Sequence, residues 1–264
     1  AHRPYVLTIH DLQFRTYPEY FTRVKRAYLG ALIPRSVRRA AVVTVPSEYV
    51  RSSVVEAYGA DPERVMVVPH GIEPTLAGMV TPEAELRHKY GIGDGPVFVY
   101  PAVTHPHKNH GFLLDLMAQR WTDPDLRLVL TGGTGLGDAP VAACADPRVL
   151  RLGRVPEADR NGLLAMAAAM VFPSRYEGFG APLIEAMTLG APVVCADTTC
   201  MPQIVGDAGV VLPLAPDAWA DVPAVVQARR AELVAAGTAR AREFTSAASG
   251  AALSAAYARA LGMS

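Results

Sequence analysis

Met170-Val171-Phe172-Pro173-Ser174-Arg175-Tyr176-Glu177-Gly178-Phe179-Gly180-Ala181-Pro182-Leu183-Ile184-Glu185-Ala186-Met187 is the stretch that decides the fold. An apolar run of strand type, 170–172, enters a polar, glycine-flanked loop, and the loop opens an apolar helix over 181–189. Strand, glycine loop and helix in that order make half of a βαβ unit, and short Val/Ile/Leu runs alternate with helix-like segments along the whole chain. The expected class is therefore α/β with parallel sheets. Upstream, strands are expected at 6–9, 42–45 and 65–68, with helices at 21–31 and 47–58; Ser47 reads as an N-cap and Gly59 as a C-cap. Downstream, five more strands accompany 170–172, at 97–100, 126–130, 149–152, 192–195 and 209–212. Between the two sets the periodicity fails over 72–82, where Gly71, Pro74, Gly78 and Pro82 read as a linker. The tail 217–261 is Ala-rich and helical, with breaks expected near Gly237 and near Phe244 and Thr245. The expected domains are 1–75, 76–243 and a C-terminal helical segment 244–264. Three strands make half of a doubly wound sheet and six make a whole one, so the first domain is expected either to pack as a small subdomain or to be incomplete, lacking what precedes it.

Composition narrows the function classes. The 264 residues carry 25 basic and 25 acidic side chains, a formal net charge of zero, which gives no reason to expect a nucleic acid as partner. Three cysteines without C-x-x-C spacing, Cys144, Cys195 and Cys200, suit a reducing compartment, and the cytoplasm is the expected location. Apolar runs are too short to span a bilayer. Lysine occurs only at 25, 89 and 108, which with the heavy use of Ala suggests a GC-rich bacterial coding sequence.

In an open parallel sheet, ligands bind beyond the carboxyl ends of the strands. The residues there are His10-Asp11, Thr104 to His110, Thr131 to Gly137, Gly153-Arg154-Val155 and Pro173 to Gly180. Gly178 and Gly180 would leave backbone N–H groups open to a phosphate at the positive end of the following helix. Glu177 and Glu185 could accept hydrogen bonds from two hydroxyl-bearing sugars flanking a diphosphate; alternatively Glu177 caps the helix and Glu185 is solvated. Lys108 could neutralise a diphosphate, or be an ordinary surface lysine. His105, His107 and His110 have a metal-like spacing, but no Cys or acid completes it, and hydrogen bonding to phosphate is the preferred reading. Asp123-Pro124-Asp125 precedes a strand and so lies at the wrong edge. Gly132 to Gly137 is not G-x-G-x-x-G, which disfavours a dinucleotide. His10 either turns the chain or reaches a bound sugar. The basic stretch Arg23 to Arg39, with Tyr28, Leu29 and Leu32, is either a solvated face or a lipid-docking one.

Taken together these residues resemble glycosyltransferase family 4, the retaining group with the GT-B fold. The resemblance runs over nearly the whole chain: Val6 to Asp11, Val45-Pro46-Ser47, Val68 to Ile72, Pro106 to Asn109, Val171 to Ser174, Glu177 to Met187, Gly190 to Val194 and Val205 to Gly209. It implies two Rossmann-like doubly wound parallel-sheet domains, the second holding a nucleotide-sugar donor. Glu185 would take the ribose, Lys108 the diphosphate, with Thr104 beside it and His105 or His107 acting in place of an Arg, and the loop at Val155 the base. Backbone amides of Gly178, Phe179, Gly180 and Ala181 would meet phosphate or sugar. Glu177 would hold the sugar, and His10 would reach over from the first domain. The C-terminal helix would pack back on that domain. No metal or other cofactor is implied. Two departures stand out: Ala102-Val103-Thr104 occupy a stretch where many relatives carry an Arg, and relatives begin with further βα units. The expected reaction is sugar transfer with retention, with GDP-mannose as donor and a saccharide or lipid-linked acceptor, in polysaccharide or glycolipid synthesis. A chain that binds nucleotide-sugar without turnover and a dinucleotide-dependent oxidoreductase or epimerase are the alternatives.

Overall fold

The computed structural model describes residues 4–263. The chain forms two units: Ala1–Gly71 with Glu177–Phe179 and Phe244–Ser264, and Ile72–Tyr176 with Gly180–Glu243. In the first, β1 (Val6–Thr8), β2 (Val42–Val45) and β3 (Val65–Val67) pair in parallel in the order β1-β2-β3. Every residue of β2 is buried, as the unbroken apolar run requires of a central parallel strand. Helix Glu48–Tyr58 starts where the Ser47 hydroxyl accepts from the Val50 N–H at 3.3 Å and stops at Gly59, φ +60°. The helix expected at 21–31 is instead Arg23–Arg39 and contains Pro34. The lost amide costs one hydrogen bond, while Arg35 donates through Nη1 to the Ala31 carbonyl at 2.8 Å. Where the chain leaves this unit, a Cβ on Gly71 would stand 2.4 Å from Ser246 Cα, so only glycine lets the chain pass the start of helix Ser246–Ala260.

The second unit carries β4 (Val97–Pro101), β5 (Arg127–Thr131), β6 (Val149–Gly153), β7 (Ala169–Phe172), β8 (Val193–Ala196) and β9 (Val210–Leu212). All pair in parallel, in the order β6-β5-β4-β7-β8-β9. The order reverses between β4 and β7, and a crevice opens outside the carboxyl ends at such a point. Two tryptophans anchor the core through their ring N–H groups, Trp121 to the Trp219 carbonyl and Trp219 to the Pro213 carbonyl, both at 2.9 Å. The segment expected as a linker is held: it contains the short helix Pro74–Gly78, and the Asn161 amide donates to the Leu76 and Met79 carbonyls at 3.3 and 3.1 Å. Gly237 does not break the tail. Helix Arg230–Ala241 runs through it, because a Cβ there would come within 3.2 Å of Met187 Cγ on the helix packed against it.

Asp159 is buried and accepts from Thr81 Oγ1 and Lys89 Nζ, each at 2.7 Å, and from the Tyr90 hydroxyl. The Lys89 and Tyr90 hydrogen bonds, ahead of the opposing effect of burial, hold its carboxyl down to about 2. A depressed carboxylate stabilises the fold above its unfolded value, about 3.9, and loses that contribution as pH falls towards 2. Asp159→Asn is therefore expected to lower the melting temperature at pH 7 and to flatten its fall between about pH 4 and pH 2. Thermal melts across that range check both; parallel curves for the two proteins would contradict it.

Candidate functional site

In the second unit, the loops after β4 and β7 are stitched together at the reversal of strand order. The Tyr100 hydroxyl donates to the Lys108 carbonyl at 2.6 Å and lies 3.3 Å from Ser174 Oγ. Asn109 donates through Nδ2 to the Pro173 carbonyl at 3.3 Å, and the Arg175 N–H donates to the His107 carbonyl at 2.8 Å. Asn109 adopts φ +56°, a left-handed conformation that asparagine tolerates better than most side chains, and it opens helix His110–Gln119. Lys108 Nζ stands 5.3 Å from the Phe172 ring centroid, a cation held over the face of an aromatic ring at the end of β7.

The histidines of this loop part company. The rings of His105 and His107 stack at 5.8 Å, whereas His110 is buried with its ring 4.7 Å from that of Tyr100. Burial, then the neighbouring Lys108, pushes His107 down to about 4, and burial pushes His110 to about 4 as well. Both are neutral at pH 7. They can hydrogen-bond but bring no charge. Among the described residues no group of three or more His, Cys, Asp or Glu side chains could hold a metal ion.

Thr104 turns out to be committed within the loops. Its hydroxyl donates to Asp138 Oδ1 and accepts from the Gly135 N–H, both at 2.8 Å, and Arg151 closes on both oxygens of Asp138 at 2.7 Å. The glycine-rich run packs closely against the loop after β4. A Cβ on Gly132 (φ +125°) would meet the Ala102 carbonyl oxygen at 2.5 Å, and one on Gly135 would meet the Thr104 carbonyl oxygen at 2.7 Å. The Arg154 guanidinium fills the side-chain place of Gly133, with Nε 3.1 Å from where a Cβ would be. Val155 follows, half-buried, just beyond β6.

Gly180 has φ +79° and opens helix Ala181–Thr188, with Pro182 in its first turn, where a missing N–H costs nothing. Ala181 thus lies at a helix N-terminus following β7, the geometry that attracts anions. Glu185, one turn in, is not simply solvated: Arg160 Nη1 stands 3.5 Å from its carboxylate. Sequence reasoning missed Arg160, for which only a three-dimensional pairing gives a signal.

The remaining expected residues gather in the first unit. The rings of His10 and His70 stack at 5.7 Å; His70 meets Phe179 edge-on at 4.9 Å, and Phe179 meets Phe244 at 5.9 Å. Phe179 is only 4% exposed, so its ring anchors the segment that carries Glu177. The Ser47 hydroxyl donates to the Gly178 carbonyl at 2.7 Å, and a Cβ on Gly178 would strike the His10 carbonyl oxygen at 2.3 Å. Gly178 is thus required for close approach of two backbones. Burial, then repulsion from His10, pushes His70 below the usual imidazole range. The sequence marks Ser47 only as a helix cap and His70 only as part of a motif, so neither contact is signalled there.

Comparison with known proteins bears on this arrangement. Residues 1–76 match the family described as "Glycosyltransferase Family 4" and residues 95–224 that described as "Glycosyl transferases group 1". The chain is 27% identical to the O-antigen chain mannosyltransferase B of Escherichia coli over 214 residues, 78% of this chain and 56% of the relative. It is 30% identical to the D-inositol 3-phosphate glycosyltransferase of Segniliparus rotundus over 221 residues, 78% of this chain and 46% of the relative. The chain thus spans about half the length of these curated relatives. The crystal structure of Anabaena Alr3699/HepE in complex with UDP and glucose superposes with a TM-score of 0.80 at 21% identity, covering 97% of this chain and 72% of that one.

Proposed function

From the premise that the chain belongs to the family 4 glycosyltransferases, with their GT-B-type α/β fold, we propose that it moves a sugar from a nucleoside-diphosphate donor to a hydroxyl-bearing acceptor. The observation that carries this reading is the arrangement where β4 and β7 end: Lys108 over Phe172, and Gly180 opening a helix that bears Glu185. A cation and a helix N-terminus at adjacent strand ends are the chemistry a diphosphate needs, and they offset its charge without a metal. In this reading Lys108 takes the diphosphate, Gly180 and Ala181 offer backbone N–H groups, Glu185 accepts from the ribose hydroxyls and the Val155 loop meets the base. His105 hydrogen-bonds at the phosphate side. Glu177 and His10 are assigned to the transferred sugar, with the backbone of Gly178 and Phe179 beside them. Thr104 acts by holding its loop.

Transfer with retention follows from attack on the face the leaving group departs. The bond from the anomeric carbon to phosphate oxygen breaks with its electron pair going to that oxygen, the acceptor oxygen bonds to the same carbon, and the acceptor's proton passes to the departing diphosphate. Mannose as the sugar is supported by the likeness to an O-antigen chain mannosyltransferase, and guanine as the base is part of the proposal. A saccharide or lipid-linked acceptor agrees with that likeness. A lipid surface is further supported by helix Arg23–Arg39, where Val24, Tyr28 and Leu32, 80%, 63% and 41% exposed, recur at helical spacing among basic residues. Co-sedimentation with vesicles of anionic lipid measures that affinity. Among the described residues no helix is long and apolar enough to cross a membrane.

A thermal-shift screen across UDP, GDP, ADP and their sugars tests the donor. A ligand at a hundred times its Kd stabilises the folded chain by about 2.7 kcal/mol. GDP and GDP-mannose are expected to raise the melting temperature most, and no shift with any diphosphate would sink the reading. Stabilisation without release of GDP from GDP-mannose in the presence of acceptor would assign the chain donor binding alone.

A further inference from the structure

We propose that Arg175 is a second cationic side chain for the donor's diphosphate, working beside Lys108 where β4 and β7 end next to one another. The assignment rests on the donor reading above and extends it to the phosphate chemistry of that site. Arg175 lies just past β7, and its backbone N–H is bound to the His107 carbonyl at 2.8 Å, which fixes residue 175 beside the residue preceding Lys108. Lys108 is tied to the end of β7 as well, its ammonium 5.3 Å from the Phe172 ring centroid. Further hydrogen bonds brace this corner, from Asn109 to the Pro173 carbonyl at 3.3 Å and from Thr198 Oγ1 to the Ser174 carbonyl at 2.9 Å. A side chain on so fixed a backbone loses less freedom on gripping a ligand.

The charge balance at this edge leaves a place for it. A nucleoside diphosphate bears more than one negative charge and gains another as the bond to the sugar breaks. Arg151 is engaged with both oxygens of Asp138 at 2.7 Å, Arg160 faces Glu185 at 3.5 Å, and Arg154 lies on Gly133. His107 and His110, held near 4, are neutral. Arg175 is exposed, and among the described residues it joins no ion pair. Its planar guanidinium can bind two phosphate oxygens at once, which an ammonium cannot.

Calorimetric titration with GDP, UDP and the matching monophosphates tests the assignment on the whole chain. The proteins compared are the unaltered chain, Arg175→Met, Arg175→Lys and Arg120→Met. The last removes one positive charge at the opposite edge of the sheet, where Arg120 pairs with Asp217 at 2.7 Å. Arg175→Met is expected to weaken the better-bound diphosphate about tenfold and the monophosphate less than threefold, with a shallower salt dependence. Arg175→Lys should recover part of the loss, and Arg120→Met should match the unaltered chain. Diphosphate affinity within twofold of the unaltered chain in Arg175→Met, or an equal loss in Arg120→Met, would overturn the assignment and leave the donor reading intact. If Arg175→Met fails to fold, Arg175→Lys decides: a loss confined to diphosphates supports the assignment and none overturns it. An unaltered chain that binds no diphosphate would overturn both.

Discussion

Lys108→Ala is expected to weaken binding of the nucleoside diphosphate by about tenfold or more while the chain stays folded. A charge-assisted hydrogen bond contributes roughly 1.5–3 kcal/mol, and each 1.4 kcal/mol is about a factor of ten in Kd. The loop itself is held through the Lys108 backbone, whose carbonyl accepts from the Tyr100 hydroxyl at 2.6 Å, so truncating the side chain leaves that anchor in place. Among the contacts the free protein loses is that of the ammonium with the Phe172 ring, worth about 0.5–1 kcal/mol at a partly exposed site. Calorimetry beside a thermal melt separates the two effects. Unchanged affinity for UDP and GDP would remove Lys108 from the phosphate site, and a collapse in melting temperature would make its role structural.

Gly178→Ala should be among the most damaging single-methyl changes in the first unit. The added carbon would lie 2.3 Å from the His10 carbonyl oxygen and 3.1 Å from Asp11 Cβ, and the nearer obstacle is backbone, which cannot rotate aside. Overpacking of this kind costs about 1–3 kcal/mol, or a melting temperature lower by roughly 2–4 °C per kcal/mol for a chain of this size. Relief can come only by moving His10 or the segment that bears Glu177, so turnover should fall further than stability does. Gly111→Ala is the matched control. Its Cβ would meet nothing within 4 Å inside helix His110–Gln119, and it should be neutral or gain about 0.5–1 kcal/mol. Equal melting temperatures for Gly178→Ala and the unaltered chain would disprove the clash.

The strands were legible almost to the residue because parallel strands are apolar on both faces; β2 and β7, buried along their whole length, show why. Local exceptions were not legible. Pro34 stays inside a helix and Gly237 fails to end one, the latter because Met187, fifty positions away, needs the space. For the candidate site, residue types and positions beyond the strands propose Lys108, Gly180 and Glu185, but their partners are not legible in the sequence. The Arg160–Glu185 pair, the Ser47–Gly178 hydrogen bond and the His70–Phe179 contact each join distant parts of the chain, and no periodicity announces them. Thr104 was picked for its place in the loop, while its hydroxyl is spent on Asp138 and Gly135.

The polypeptide passes between its two units four times, at Gly71/Ile72, Tyr176/Glu177, Phe179/Gly180 and Glu243/Phe244. Neither unit is therefore heritable as a single block. A recombination event or engineered chimera that exchanged only residues 1–71 with a relative would set a foreign His10 backbone against Gly178, a foreign Ser47 position against its carbonyl, and a foreign Gly71 against Ser246. Exchange that preserves function must carry three separate pieces at once, and the shortest of them is Glu177–Phe179.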